Sequence, residues 1–276
     1  MSGPDPRFFT TSILPVRRGL VLRGGGAVRV PLRVRVGYFH HPQLGHTLID
    51  TGYARHVTEN GGDRYLELYR FLLRPTLVDD APLERGLARL GVRIGDVETV
   101  IVSHFHADHI GGLRDLPGVR VLCSGTAWQA ARQGSRAIRG IHGVFPTLLP
   151  DDVAARLAFV EEKRATGDPE RFALTDDGAV VAVSLPGHLD GQIGVLFPRA
   201  DPPFLYASDV QWSRDAILQD RLPGFPADRI HRDRRATVRS AETVRRFAEG
   251  GGDFLLCHDW HLHPRDIDPD IPSGAE

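Results

Sequence analysis

Residues 103–109 read Ser-His-Phe-His-Ala-Asp-His, which places three imidazoles and a carboxylate within six positions, directly after the apolar run Val97 to Val102. A run of that length and composition is a buried strand, so the polar cluster begins where the chain leaves a core. Polar side chains packed there must find partners, and a bound metal ion would provide them. Imidazole and carboxylate without thiolate suit Zn²⁺ and, less selectively, Mn²⁺, Fe²⁺ or Co²⁺. Alternation along an extended segment points His104 and His106 the same way, while Asp108 and His109 on the following turn can face a second ion. Gly111-Gly112 then allows a tight turn into the next helix. A solvated histidine loop is the plain alternative, and motifs later in the chain weigh against it.

Around this cluster the pattern is β, then α, then β again, then α and a last strand. Arg29 to Phe39 and Thr47 to Ile49 read as a hairpin ending at Asp50-Thr51-Gly52. Tyr53 to about Leu90 is helical, with Leu66, Tyr69, Leu72 and Leu73 at helical spacing and Pro75 as a breaker. Val119 to Leu122 is a strand, and Gly125 to Arg136 is helical. The stretch 125–178 is irregular after its first helix and reads as an insertion covering a pocket, with a helix expected from Asp151 to Lys163. Strands follow at Ala179–Leu185, Ile193–Phe197, Phe204–Ala207 and Phe254–Cys257. A helix from Arg232 to Ala248, with Val238, Val244 and Phe247 on its apolar side, precedes the last strand. Helices packed outside sheets in one domain, 1–276, are expected, with a loose tail from Pro264.

The 276 residues carry a net charge of −1, which provides no field for a polyanion, so no nucleic-acid partner is expected. No apolar run approaches the ~20 residues of a membrane span, and the start of the chain lacks the layout of a signal peptide. A cytoplasmic protein without membrane contact is expected. Cys123 and Cys257, the two cysteines, are too few for a disulfide framework and read as small core residues.

His-x-His-x-Asp-His between an apolar strand and Gly-Gly resembles the signature of the metallo-β-lactamase superfamily. Further resemblances follow in order along nearly the whole chain: Asp50-Thr51-Gly52, Leu185-Pro186-Gly187-His188, Ala207-Ser208-Asp209 and Cys257-His258-Asp259. The resemblance implies an α/β fold, a four-layer αββα sandwich. It implies two divalent metal ions, zinc in the first instance, with His104, His106 and His188 on one and Asp108, His109 and His258 on the other. Asp209 would bridge them and Asp50 would orient a ligand imidazole from behind. The family chemistry is attack on a substrate carbonyl by a hydroxide shared between the ions, with Asp108 managing charge and proton. One departure lies after His188, where Leu189, Asp190 and Gln192 replace the family's Thr-x-Gly-His continuation.

In layout the chain most resembles quorum-sensing acyl-homoserine lactonases, which implies a small-molecule lactone or ester substrate. Val144, Phe145, Leu148 and Leu149 are candidates for an apolar wall, and His142 is a candidate substrate contact. Trp212 stands where such lactonases carry a tyrosine; an indole N–H donates a hydrogen bond but is no acid. The alternatives are a phosphodiesterase, a thioesterase of the glyoxalase II kind, which needs a basic site for an anionic thiol carrier, and a degenerate metal-binding regulatory module. A β-lactamase proper fits less well, because its second metal shell contains a cysteine. The arginines at 232, 234, 235 and 239 read as a solvated helix face, and His40, His41, His46, His231, His261 and His263 as ordinary surface or loop residues. A homodimer is compatible with the sequence.

Overall fold

Runs rich in valine, isoleucine and phenylalanine set out the strands, which a computed structural model places in two sheets; it describes residues 3–59, 63–163 and 165–268. The strands are β1 (Arg7–Arg17), β2 (Arg29–His41), β3 (Gly45–Ile49), β4 (Thr76–Leu77), β5 (Val97–Ile101), β6 (Arg120–Cys123), β7 (Leu157–Phe159), β8 (Ala165–Thr166), β9 (Arg171–Ala173), β10 (Val181–Ser184), β11 (Ile193–Phe197), β12 (Phe204–Ser208) and β13 (Asp253–Leu256). One sheet runs β4-β1-β2-β3-β5-β6-β7 and the other β13-β12-β11-β10-β9-β8. β1, β2 and β3 are antiparallel neighbours, but β3, β5, β6 and β7 run parallel, as do β12 and β13. The carboxyl ends of these parallel strands therefore share an edge, and there the backbone crosses between sheets through Ile193 N–H to Ser103 O at 3.0 Å.

The inner faces pack aromatic against aromatic. Phe39 meets Phe197 edge-on with centroids 5.1 Å apart, and Phe8 stacks on Tyr206 at 5.2 Å. A second apolar cluster lies on the outer face of the β10–β13 sheet, where Val183, Leu196, Leu205 and Leu256 receive Ala241 and Val244 of the helix Arg234–Glu249. The helix Pro82–Arg89 covers the other sheet so closely that a Cβ on Gly86 would stand 2.1 Å from the Phe9 ring. Helix, sheet, sheet, helix is the expected αββα sandwich.

Several expectations are corrected. The 11-residue β1 carried no alternating signal, because Phe8 to Ser12 are all buried, polar and apolar alike. Residues 151–163 form a helical turn, Val153–Arg156, then β7, which extends the first sheet, and then a 3-10 turn, Val160–Glu162; β8 and β9 belong to the second sheet. Only the earlier part of the stretch 125–178 is thus free to cover anything. Val238 is 52% exposed and not part of the apolar face of its helix, whereas Val244 is fully buried. The tail does not loosen at Pro264: Asp268 accepts from Thr10 N–H at 2.5 Å and pairs with Arg89, and of this tail residues 269–276 lie outside the described part. Both cysteines are buried and unpaired, and among the described residues no helix is long and apolar enough to cross a membrane.

Candidate metal centre

Each motif singled out in the sequence ends at the shared edge. β5 ends at Ile101; Val102 and Ser103 lead the chain to His104 and His106, and the short helix Ala107–Ile110 carries Asp108 and His109. His188 follows β10 on a loop that docks on the helix Arg234–Glu249. Gly187 has φ +134°, and a Cβ there would stand 2.2 Å from Thr237 N, so only glycine allows this approach. Asp209 and His258 leave the neighbouring parallel strands β12 and β13.

Two clusters result. Nδ1 of His106 lies 3.0 Å from Nε2 of His104 and 2.9 Å from Nε2 of His188. In the second, Nε2 of His258 is 3.1 Å from Asp108 Oδ2 and 3.0 Å from Asp209 Oδ2, and Nε2 of His109 is 3.4 Å from Asp209 Oδ1. Asp209 touches both, since its Oδ2 is also 3.5 Å from His188 Nε2. All seven side chains are buried, the most open being His106 at 7%.

Burial lowers His104 and His188 well below the usual imidazole range and His106 to about 4, and the neighbouring imidazoles add to this. These three are therefore neutral, the form that ligates. Burial alone would also lower His109 and His258, but the nearby carboxylates outweigh it and hold both well above that range. Asp108 and Asp209, despite burial, are held low by His109 and His258.

The donor set fits divalent cations. Three neutral ring nitrogens converge on one point without a cationic side chain between them. His109 Nε2 and Asp209 Oδ1 are buried and, though 3.4 Å apart, neither makes a hydrogen bond among the described residues, although native interiors rarely leave such atoms unsatisfied. Nitrogen and carboxylate oxygen ligands suit zinc and its neighbours. Cys257 Sγ lies within 4.8 Å of the ligand atoms of His109, Asp209 and His258, but its Sγ–H points to Arg35 O at 3.7 Å.

Behind the clusters sits a polar network. Asp50 Oδ2 accepts from His109 Nδ1 at 2.8 Å and from Ser103 Oγ at 2.9 Å, and it takes a longer bond from the Tyr206 hydroxyl at 3.2 Å. Its Oδ1 takes the Ser103 N–H at 2.8 Å, and Ser208 Oγ donates to Ser103 Oγ at 2.8 Å. Asp50 and Ser208 both hold left-handed backbone, φ +60° and +50°, at strand ends, a strain typical of functional positions. His258 Nδ1 donates to Arg33 O at 2.8 Å. We expect Asp50→Asn to weaken metal retention by about 10–100-fold, read by chelator competition; unchanged retention would refute an orienting role for Asp50.

The substrate-side candidates are placed differently from one another. Phe145 is 1% exposed and packs edge-on against Tyr69 at 5.2 Å, and Val144, Leu148 and Leu149 are buried with it, so this segment packs into the core. It nonetheless lies over His106, through Ala107 N–H to Gly143 O at 3.1 Å. His142 is half-buried and lines a cleft of about 590 Å³ with His231, the arginines Arg229, Arg232, Arg234 and Arg235, and the aspartates Asp228 and Asp233. Three of the arginines read as a plain solvated face therefore line a cleft, since the loop 227–233 turns back on the loop after β10. Trp212 is 6% exposed and packs on His231. His231 was set aside in the sequence, yet its Nδ1 lies 3.2 Å from His188 Nδ1. No local motif marks it, because the contact spans 43 residues. Of the other histidines, His41, His46 and His263 contact Asp177, Tyr38 and Asp253 away from the centre.

Comparison with known proteins agrees with this geometry. Residues 44–249 match the metallo-beta-lactamase superfamily. A probable metallo-hydrolase of Mycobacterium tuberculosis is 28% identical over 63% of this chain, and the match spans only 55% of that protein's length. The N-acyl homoserine lactonase AttM of Azorhizobium caulinodans is 27% identical over 79% of both chains. Among solved structures, an N-acyl homoserine lactone hydrolase with the product N-hexanoyl-L-homoserine at its catalytic metal centre superimposes with a TM-score of 0.68. It covers 97% of this chain and 95% of its own at 16% identity, which is a likeness of fold. With the family match spanning most of the chain, and the strand-end clusters in that family's order, this protein belongs to the metallo-β-lactamase superfamily.

Proposed function

We propose that this protein is a dinuclear metal-dependent hydrolase that cleaves a small-molecule lactone or other ester. The observation that carries the reading is the position of Asp209, whose one carboxylate reaches both clusters. His104, His106 and His188 would hold one ion, and Asp108, His109 and His258 the other. Bound divalent ions supply an activated water near neutral pH and polarise a substrate carbonyl. The chain's own part is to hold those ligands rigidly, to exclude bulk water through burial, and to offer the Asp108 carboxylate as a proton acceptor. The similarity to AttM lactonases supports a lactone substrate.

One observation favours a second reading. Arg229 and Arg235 line the cleft beside His231 without an ion-pair partner among the described residues, while Arg232 and Arg234 pair with Asp190 and Asp228. A basic mouth suits an ester or thioester with an anionic leaving group, as in the glyoxalase II-like alternative. Elemental analysis of the purified protein, joined to a hydrolysis screen of lactones, anionic and neutral thioesters and phosphodiesters, tests both. We expect about two zinc-like ions per chain and lactone turnover. Turnover of anionic thioesters alone would favour the second reading, and phosphodiester turnover alone would replace the substrate class. A metal-loaded protein inert on every class would support a regulatory metal-binding module, and failure to take up metal would overturn the centre.

A further inference from the structure

The outer side of His188 faces a second histidine. His188 turns Nε2 towards His106 and Asp209, at 2.9 and 3.5 Å, so this is the nitrogen available to an ion. Its Nδ1 must then carry the ring proton. The atom facing that proton is Nδ1 of His231 at 3.2 Å, which has to be the acceptor. His231 is 7% exposed, so the contact is screened from solvent.

Packing fixes the orientation of His231. The Trp212 indole stacks on it with centroids 5.0 Å apart and planes 16° from parallel, and meets His188 edge-on at 6.0 Å. The backbone continues the same contact, since Arg232 N–H donates to His188 O at 3.1 Å and Asp233 N–H to Gly187 O at 2.9 Å. Asp233 in turn caps the helix Arg234–Glu249 through the N–H groups of Arg235 and Ala236. A 43-residue excursion of the chain thus returns to clasp the loop carrying His188 at its side chain and its backbone together.

We propose that His231 is a positioning residue for the centre. It accepts the Nδ1–H of His188, fixes that ring's tautomer and raises its basicity towards a divalent cation, while Trp212 acts as the clamp that holds His231 in plane. Ligand imidazoles generally donate their second N–H to a carboxylate or carbonyl, and such partners control metal affinity. Asp50 and Arg33 O do this for His109 and His258. An imidazole does it for His188, and the Trp212 position becomes structural, not a substitute proton donor.

The inference rests on the metal-centre reading above, and its test separates the two. Wild type, His231→Leu and His231→Asn are loaded with Zn²⁺ and titrated with a chelator, with thermal melts and circular dichroism run alongside. Asparagine places an amide oxygen near the lost Nδ1, whereas leucine offers no acceptor. The expected result is two ions held by wild type, one of them about 10–100-fold weaker in His231→Leu, and recovery in His231→Asn. Nitrogen-15 NMR of the imidazoles should show a protonated Nδ1 on His188 in wild type. If His231→Leu fails to fold, that tautomer and the affinity of His231→Asn decide. Equal retention by folded wild type and His231→Leu, or a His188 without the Nδ1 proton, overturns the inference alone. A wild type that takes up no metal overturns the centre and the inference together.

Discussion

Asp209→Ala is expected to lose hydrolytic turnover by at least roughly 10³-fold, as happens when one member of a group that acts as a unit is removed. The carboxylate is 1% exposed and approaches His109, His188 and His258 at once. Its loss would remove the negative charge shared by the two proposed cation sites and leave His109 and His258 facing one another without it. His106→Ala and Asp108→Ala should fail comparably while remaining folded, because each sits on the rim of the core and not within its apolar packing. Turnover on the best substrate of the screen, with circular dichroism and metal content on the same samples, is the measurement. A folded Asp209→Ala variant with near-normal turnover would rule out a bridging role for that carboxylate.

Arg35→Met should destabilise the fold by about 3–5 kcal/mol, the usual cost of breaking a buried ion pair from one side. The guanidinium is wholly buried on β2 and makes two parallel 2.8 Å bonds to the Asp266 carboxylate. It also donates to the carbonyls of Asp259 at 2.6 Å and His261 at 2.7 Å. It therefore ties down the whole segment 257–266, which carries His258. Methionine would leave the Asp266 carboxylate buried without a cation, together with unmet carbonyls. Urea denaturation of the metal-free proteins measures the loss directly, and a change below about 1 kcal/mol would show that the segment is held by other contacts.

Much of the site could be read from the sequence because its residues lie at strand ends, where local rules hold. An apolar run marks β5, so the histidines after it are located at once, and Asp50, Asp209 and His258 follow the same pattern on β3, β12 and β13. The same local rules failed where burial is two-sided. Arg33 and Arg35 alternate with valine and leucine, which by period alone would place them in solvent. β2 is central in a seven-stranded sheet, however, and both arginines are buried, one to hold the His258 segment and the other to present its carbonyl to His258. Leucines at 148 and 149, read as a pocket wall, instead fill the core.

By itself, then, the sequence determined the donor types, their order and the strands that end at them, because hydrophobic period and ligand chemistry are properties of short segments. Tertiary structure alone decided which atom faces which. It set one carboxylate between two clusters, turned His231 from a loop residue into the partner of His188, and brought His142 against the arginines of residues 229–235 to form a cleft. Those outcomes depend on contacts between residues tens to hundreds of positions apart, fixed by how two sheets and their covering helices pack, and no local pattern encodes them.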